Sequence, residues 1–151
     1  MNKKGFTLVE IILVVVILGI LSAITIPNIM ESLRQNKIDA GENIHKILLE
    51  NLKLYTMEKK DEWWCDPTSS YGVVCNSNSG RRETGTVTVS LETLKGFNQD
   101  IDISANNGEC NLIGNMAVTR SGSNGNYNYE YKVRVICTDK NTNKVYYDSN
   151  N

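Results

Sequence analysis

The chain has 151 residues, enough for one modest domain and an appendage. Its 16 basic and 17 acidic residues leave a formal charge of -1, which excludes the basic footprint of a nucleic-acid-binding surface. Polarity is unevenly spread: the first 30 residues are nearly all apolar, and the last 90 are rich in Asn, Ser, Thr and Gly.

The chain opens on an apolar run, KKGFTLVEIILVVVILGILSAITIP, at residues 3–27. Ile11 through Met30 carries no charge. About 20 residues of helix at about 1.5 Å each cover about 30 Å, the hydrocarbon thickness of a bilayer. Lys3 and Lys4 precede the run, so the positive-inside rule keeps the N-terminus cytoplasmic and sends the rest outward. A secretory signal peptide has a shorter apolar core followed by a small-residue cleavage site. Here apolar sequence continues on both sides of Ser22 and Ala23. A plain single-pass anchor explains everything except Glu10. A carboxylate at that depth costs about 2.5 kcal/mol or more unless it finds a partner, and marks a functional site by default. Pro27 cannot donate a backbone N–H. A kink within the helix and a break at the membrane surface both remain open.

The run Gly5-Phe6-Thr7-Leu8-Val9-Glu10, after two lysines and before an apolar helix, resembles the type III signal sequence of type IV pilins and pseudopilins. The resemblance is close over about residues 1–55 and architectural beyond them. It implies a prepilin leader, residues 1–5, cut after Gly5 by a prepilin peptidase on the cytoplasmic side. It implies N-methylation of Phe6, and pairing of Glu10 with the N-terminal amine of a neighbouring subunit during assembly. Gly19 and Pro27 fall where the family commonly has a glycine and a helix-kinking proline. Residues 6–30 are then the transmembrane and filament-core helix of a homo-oligomeric filament. The expected partners are the peptidase, a pilus assembly ATPase and a platform protein. The expected location is the inner (cytoplasmic) membrane as a single-pass prepilin, and the extracellular filament once assembled.

Residues 31–60 continue as an amphipathic helix. Leu33, Ala40, Ile44, Ile47, Leu48 and Tyr55 recur at three- and four-residue steps, with charged residues between them. Gly41 weakens this helix by about 1 kcal/mol relative to alanine. The helix is expected to end near Lys59 or Lys60. Residues 61–83 read as a loop punctuated by Pro67, Gly72 and Gly80. Trp63 and Trp64 are adjacent and so cannot share one face; one is expected to cover the core.

Strands follow. Thr86 to Leu91 alternates polar and apolar, and Asn115 to Arg120 is a second short strand. Ser121 to Asn126 reads as a turn. Tyr127, Tyr129, Tyr131, Val133, Val135 and Cys137 occupy every second position, the clearest strand signal in the chain. Thr138 to Asn143 is another turn, and Lys144 to Asp148 the last strand. Short turns imply an antiparallel meander covered by the amphipathic helix. The expected fold is α+β: a long N-terminal helix packed on a small antiparallel sheet, with residues 61–151 as a globular head.

Cys65, Cys75, Cys110 and Cys137 form no C-x-x-C pair, and the single histidine, His45, lies apart from them, so zinc spacing is absent. In an exported head they read as two disulfides, with four reduced, buried thiols as the alternative. Three connectivities are open; pairing sequence neighbours, Cys65 with Cys75 and Cys110 with Cys137, is favoured. The pilin family often has one C-terminal disulfide loop, and four cysteines depart from that pattern.

No catalytic set, P-loop or dinucleotide motif is present in the sequence. No cofactor or metal is expected, and no enzyme activity. His45 reads as a packed or surface residue. Asp139, Asn141 and Asn143 alternate like part of a calcium loop but lack its bidentate acid, and fit a turn better. The leading function is a structural pilin subunit of a surface filament serving adhesion, twitching motility, aggregation or DNA uptake. The alternative within the family is a pseudopilin of a type II secretion or competence system. A different class is a single-pass, membrane-anchored binding module, in which Glu10 has no role.

Overall fold

The structure, a computed structural model, describes residues 7–68, 75, 80–103 and 110–150, the side chains of 24–28 excepted. The chain divides into two compact units, Met1–Lys37 and Ile38–Asn151. One helix, α1, runs over Leu8–Trp63. It ends a few residues beyond the lysines expected to stop it, so the expected loop begins with helix.

In the second unit, α1 buries Ile44, Leu48, Leu52 and Thr56, a strict four-residue step, with Gly41 one turn earlier. The face expected from the sequence is thereby corrected. Ile47 and Leu33 are exposed, while Leu52 and Thr56 are buried. Thr56 is tolerated inside because its hydroxyl donates to the Leu52 carbonyl at 2.7 Å.

Two three-stranded antiparallel sheets replace the single meander. The first contains β1 (Gly85–Val89), β3 (Met116–Ser123) and β4 (Asn126–Lys132), in the order β1-β3-β4. The second contains β2 (Cys110–Leu112), β5 (Val135–Thr138) and β6 (Val145–Asp148), in the order β2-β5-β6. The long alternating run is therefore not one strand. It breaks at Val133 and Arg134, where the chain leaves one sheet for the other. The alternation persists through the break, and Val133, Val135 and Cys137 are all buried.

The expected six-residue turn at 121–126 tightens to Asn124-Gly125. Both have positive φ, 53° and 83°, the geometry of a primed two-residue hairpin turn. The strand expected at 86–91 stops at Val89, because Ser90 caps a short helix, α2 (Leu91–Phe97). The Ser90 hydroxyl accepts from the Thr93 amide at 3.2 Å, and Leu94 is driven fully into the core. Beyond α2, the Asn98 side-chain amide donates to Asn51 Oδ1 on α1 at 2.8 Å.

Leu48, Leu52, Leu94, Met116, Val118 and Val135 form the centre of one core, drawn from both helices and both sheets. Each such buried side chain contributes about 1.5–3 kcal/mol. Trp64 is buried, and Trp63 packs edge-on against it with ring centres 5.5 Å apart. Both tryptophans thus join the core. Cys65 is bonded to Cys75 and Cys110 to Cys137. The second bond links residues directly opposite each other on β2 and β5.

Candidate assembly segment

The first turn of α1 is organised by Thr7. Its carbonyl accepts from the Glu10 and Ile11 amides at 3.1 and 3.3 Å. Its hydroxyl donates to Glu10 Oε2 at 3.4 Å. The Thr-x-x-Glu spacing is that of a capping box, and a carboxylate in the first turn suits the positive end of the helix dipole. Glu10 is otherwise exposed, as is every described side chain from Thr7 to Ala23.

The exposed residues are overwhelmingly apolar. Leu8 is 76% exposed, and Val14, among the least, still 47%. Because Leu8 to Leu18 is apolar at every position but Glu10, no face of the helix is polar. A helix apolar all round is stable only when surrounded by apolar material. At about 25 cal/mol per Å² the unfilled demand is large. The one hydroxyl in the described stretch beyond Thr7, that of Ser22, is satisfied by the Leu18 carbonyl at 2.7 Å.

Farther along, Glu31 and Arg34 pair across one turn at 2.7 Å, fully in solvent. The hydrogen bond from Arg34 holds the Glu31 carboxyl below its usual range. This pair marks where charge returns to the helix. The helix passes through Pro27 without interruption. Gly5 and Phe6, the expected processing site, lie outside the described residues. The span expected from Ile11 to Met30 includes 24–28, whose side chains are likewise not described. Among the described residues, no helix is long and apolar enough to cross a membrane.

In the second unit, Asp139 Oδ1 accepts from the Asn141 and Thr142 amides at 2.9 and 3.0 Å, so its carboxylate organises a turn. Among the described residues, no cluster of three His, Cys, Asp or Glu side chains could hold a metal ion. A polar clasp not anticipated from the sequence lies beside the hairpin. The Tyr127 hydroxyl shares its one proton between Asp66 Oδ1 at 3.2 Å and Glu83 Oε1 at 3.0 Å. Arg120, only 5% exposed, sets its guanidinium carbon 3.4 Å from the centre of the Tyr127 ring and 5.8 Å from that of Trp64. Its Nε makes no hydrogen bond, and the ring faces take the place of acceptors. The Thr68 amide, then the Thr68 hydroxyl, hold the Asp66 carboxyl low, with Tyr127 and Arg120 adding to the effect. An arginine in phase with buried Met116 and Val118 was the available sequence signal.

Residues 1–26 match the family described as the prokaryotic N-terminal methylation motif. Over 57 residues the chain is 39% identical to type II secretion system core protein G of Pseudomonas aeruginosa, covering 38% of this chain and 40% of that protein. Over 82 residues it is 33% and 34% identical to two type IV major fimbrial proteins FimA of Dichelobacter nodosus. Those alignments cover 52% of this chain and 49% and 48% of the relatives. The chain thus spans less than half the length of these curated relatives. No solved structure matches it.

Proposed function

We propose that this chain, whose N-terminal segment is that of a type IV pilin or pseudopilin, is a pilin: the structural subunit of a type IV pilus. The observation that carries the reading is a helix exposed and apolar on every side, headed by one carboxylate. Such a helix is built to be surrounded, first by lipid and then by copies of itself. In this reading a prepilin peptidase cuts after Gly5, and Phe6 becomes a methylated N-terminus. Glu10 then attracts the amine of a neighbouring subunit inside the apolar bundle, where the low dielectric strengthens the pair. An assembly ATPase and a platform protein supply subunits from the membrane, and the heads form the outside of an extracellular filament. Adhesion, motility, aggregation or DNA uptake would be performed by that filament. The role is structural, not enzymatic.

The alignments to the fimbrial proteins run 82 residues, longer than the 56-residue α1, and so support a pilin over a likeness confined to the helix. A pseudopilin is the second reading, favoured by the higher identity, over a shorter stretch, to the secretion protein. Mass spectrometry of the N-terminal peptide from filaments sheared off cells tests the proposal. A chain beginning at methylated Phe6 is the expected result. A chain beginning at Met1, recovered only from membranes, favours an anchored binding module.

A further inference from the structure

Where the chain crosses from the first sheet to the second, the ladder is interrupted and a cavity of about 410 Å³ opens beside it. Its polar lining includes His45 from α1, Asn115 from the segment before β3, and Lys132 and Arg134 at the crossing. Its apolar lining includes Leu49, Tyr131 and Val133. Among the described residues no aspartate or glutamate lines it, although acidic residues outnumber basic ones in the chain. Among the described residues, the side chains of His45 and Asn115 make no hydrogen bond.

We propose that this cavity is a binding site for a small organic anion, a carboxylate or phosphate monoester carried on an apolar group. The two cations differ in what they offer. Arg134 is held by Asp148 at 2.9 Å, with a second contact at 3.4 Å, and shapes the wall. Among the described residues Lys132 meets only Glu130, at 3.5 Å with both side chains more than half exposed, a pairing of little energetic weight. Its ammonium is therefore available to a ligand. The His45 ring on α1 and the Asn115 amide before β3 offer further donors from two other segments of the wall. Leu49, Tyr131 and Val133 supply the apolar contact that a bare inorganic ion cannot use. The combination of apolar wall and few convergent polar groups is the usual make-up of a small-molecule site. The inference does not depend on filament formation.

The test uses the full chain in neutral detergent micelles, titrated with phenyl phosphate, benzoate, inorganic phosphate and benzylamine. Binding is followed by isothermal titration and by the shift of the His45 ring resonances. Saturable binding of phenyl phosphate or benzoate is expected, at least tenfold tighter than inorganic phosphate, with no binding of benzylamine. Lys132→Gln and His45→Gln should each weaken binding by about tenfold while unfolding at the parent temperature, and Lys144→Gln should leave it unchanged. Absence of saturable anion binding overturns the proposal. So does binding that Lys132→Gln and His45→Gln leave intact, or equal affinity for inorganic phosphate.

Discussion

The ring of Tyr147 on β6 occupies the space a side chain at position 41 of α1 would need. A Cβ built on Gly41 would lie 2.8 Å from Tyr147 Cγ and Cδ1 and 3.0 Å from its Cβ. The Tyr147 Cβ cannot swing away as a ring edge can, so β6 itself would have to retreat. Gly41→Ala should therefore destabilise the head by about 1–3 kcal/mol, despite the about 1 kcal/mol that alanine gains in helix propensity. Urea unfolding of the full chain in detergent checks the sign. A variant as stable as the parent means that β6 yields freely. Combined with Tyr147→Gly, which removes the Cβ as well as the ring, the cost of Gly41→Ala should largely vanish.

Ser90 decides whether the chain turns from strand to helix. Ser90→Ala leaves the Thr93 amide without its acceptor and should cost about 1 kcal/mol. Ser90→Asp should retain most of the stability. Denaturant midpoints of the two variants compare them directly, and equal loss in both would remove the capping explanation.

Acid should weaken the head through two carboxylates. The Arg134 hydrogen bond, and then the Asn150 amide, hold the Asp148 carboxyl below its usual range; the Thr68 amide, and then its hydroxyl, do the same for Asp66. A carboxyl depressed in the folded state adds stability above its unfolded pKa of about 3.9, and loses it as pH falls through the lower folded value. The thermal midpoint should hold level down to about pH 5 and decline below about pH 4. Asp148→Asn and Asp66→Asn should each lower the plateau and flatten the acid limb. An acid limb identical to the parent's in both variants would assign the decline to other groups.

Glu10 bears on assembly and not on the head. Glu10→Ala should abolish surface filaments while leaving the protein in the membrane fraction at parental level. Filaments of ordinary number and length in this variant would sink the amine–carboxylate account. Loss of the protein from membranes would point to insertion instead.

The helix, its apolar first half and the presence of a β-rich head are legible in the sequence because each rests on a sustained pattern. What escaped had two readings with the same local signal. Leu91 fits the alternation of the preceding strand and also the first turn of a helix, so only the Ser90 cap separates β1 from α2. Tyr127 to Cys137 keeps one phase across a change of sheet, since burial on one side does not reveal which neighbour a strand bonds. Ile47 and Leu52 are equally apolar, and only the packing of α1, with β6 close at Gly41, distinguishes the exposed one from the buried one. The Arg120 clasp was hidden because a cation at an inward position looks like an interruption of the core until its aromatic partners are placed.

The bond between Cys110 and Cys137 carries a mechanical consequence. Tension entering through α1 and leaving at the last strand meets a covalent shortcut at β2 and β5, and passes from one sulfur to the other. Residues 111–136, which include the whole β3–β4 hairpin, lie on a slack loop outside the load path. Stretching can peel β6 one rung at a time, but extension stops at Cys137. The hairpin, with its Asn124-Gly125 tip, carries no covalent load and feels the pull only through β1, which lies on the load path and pairs with β3.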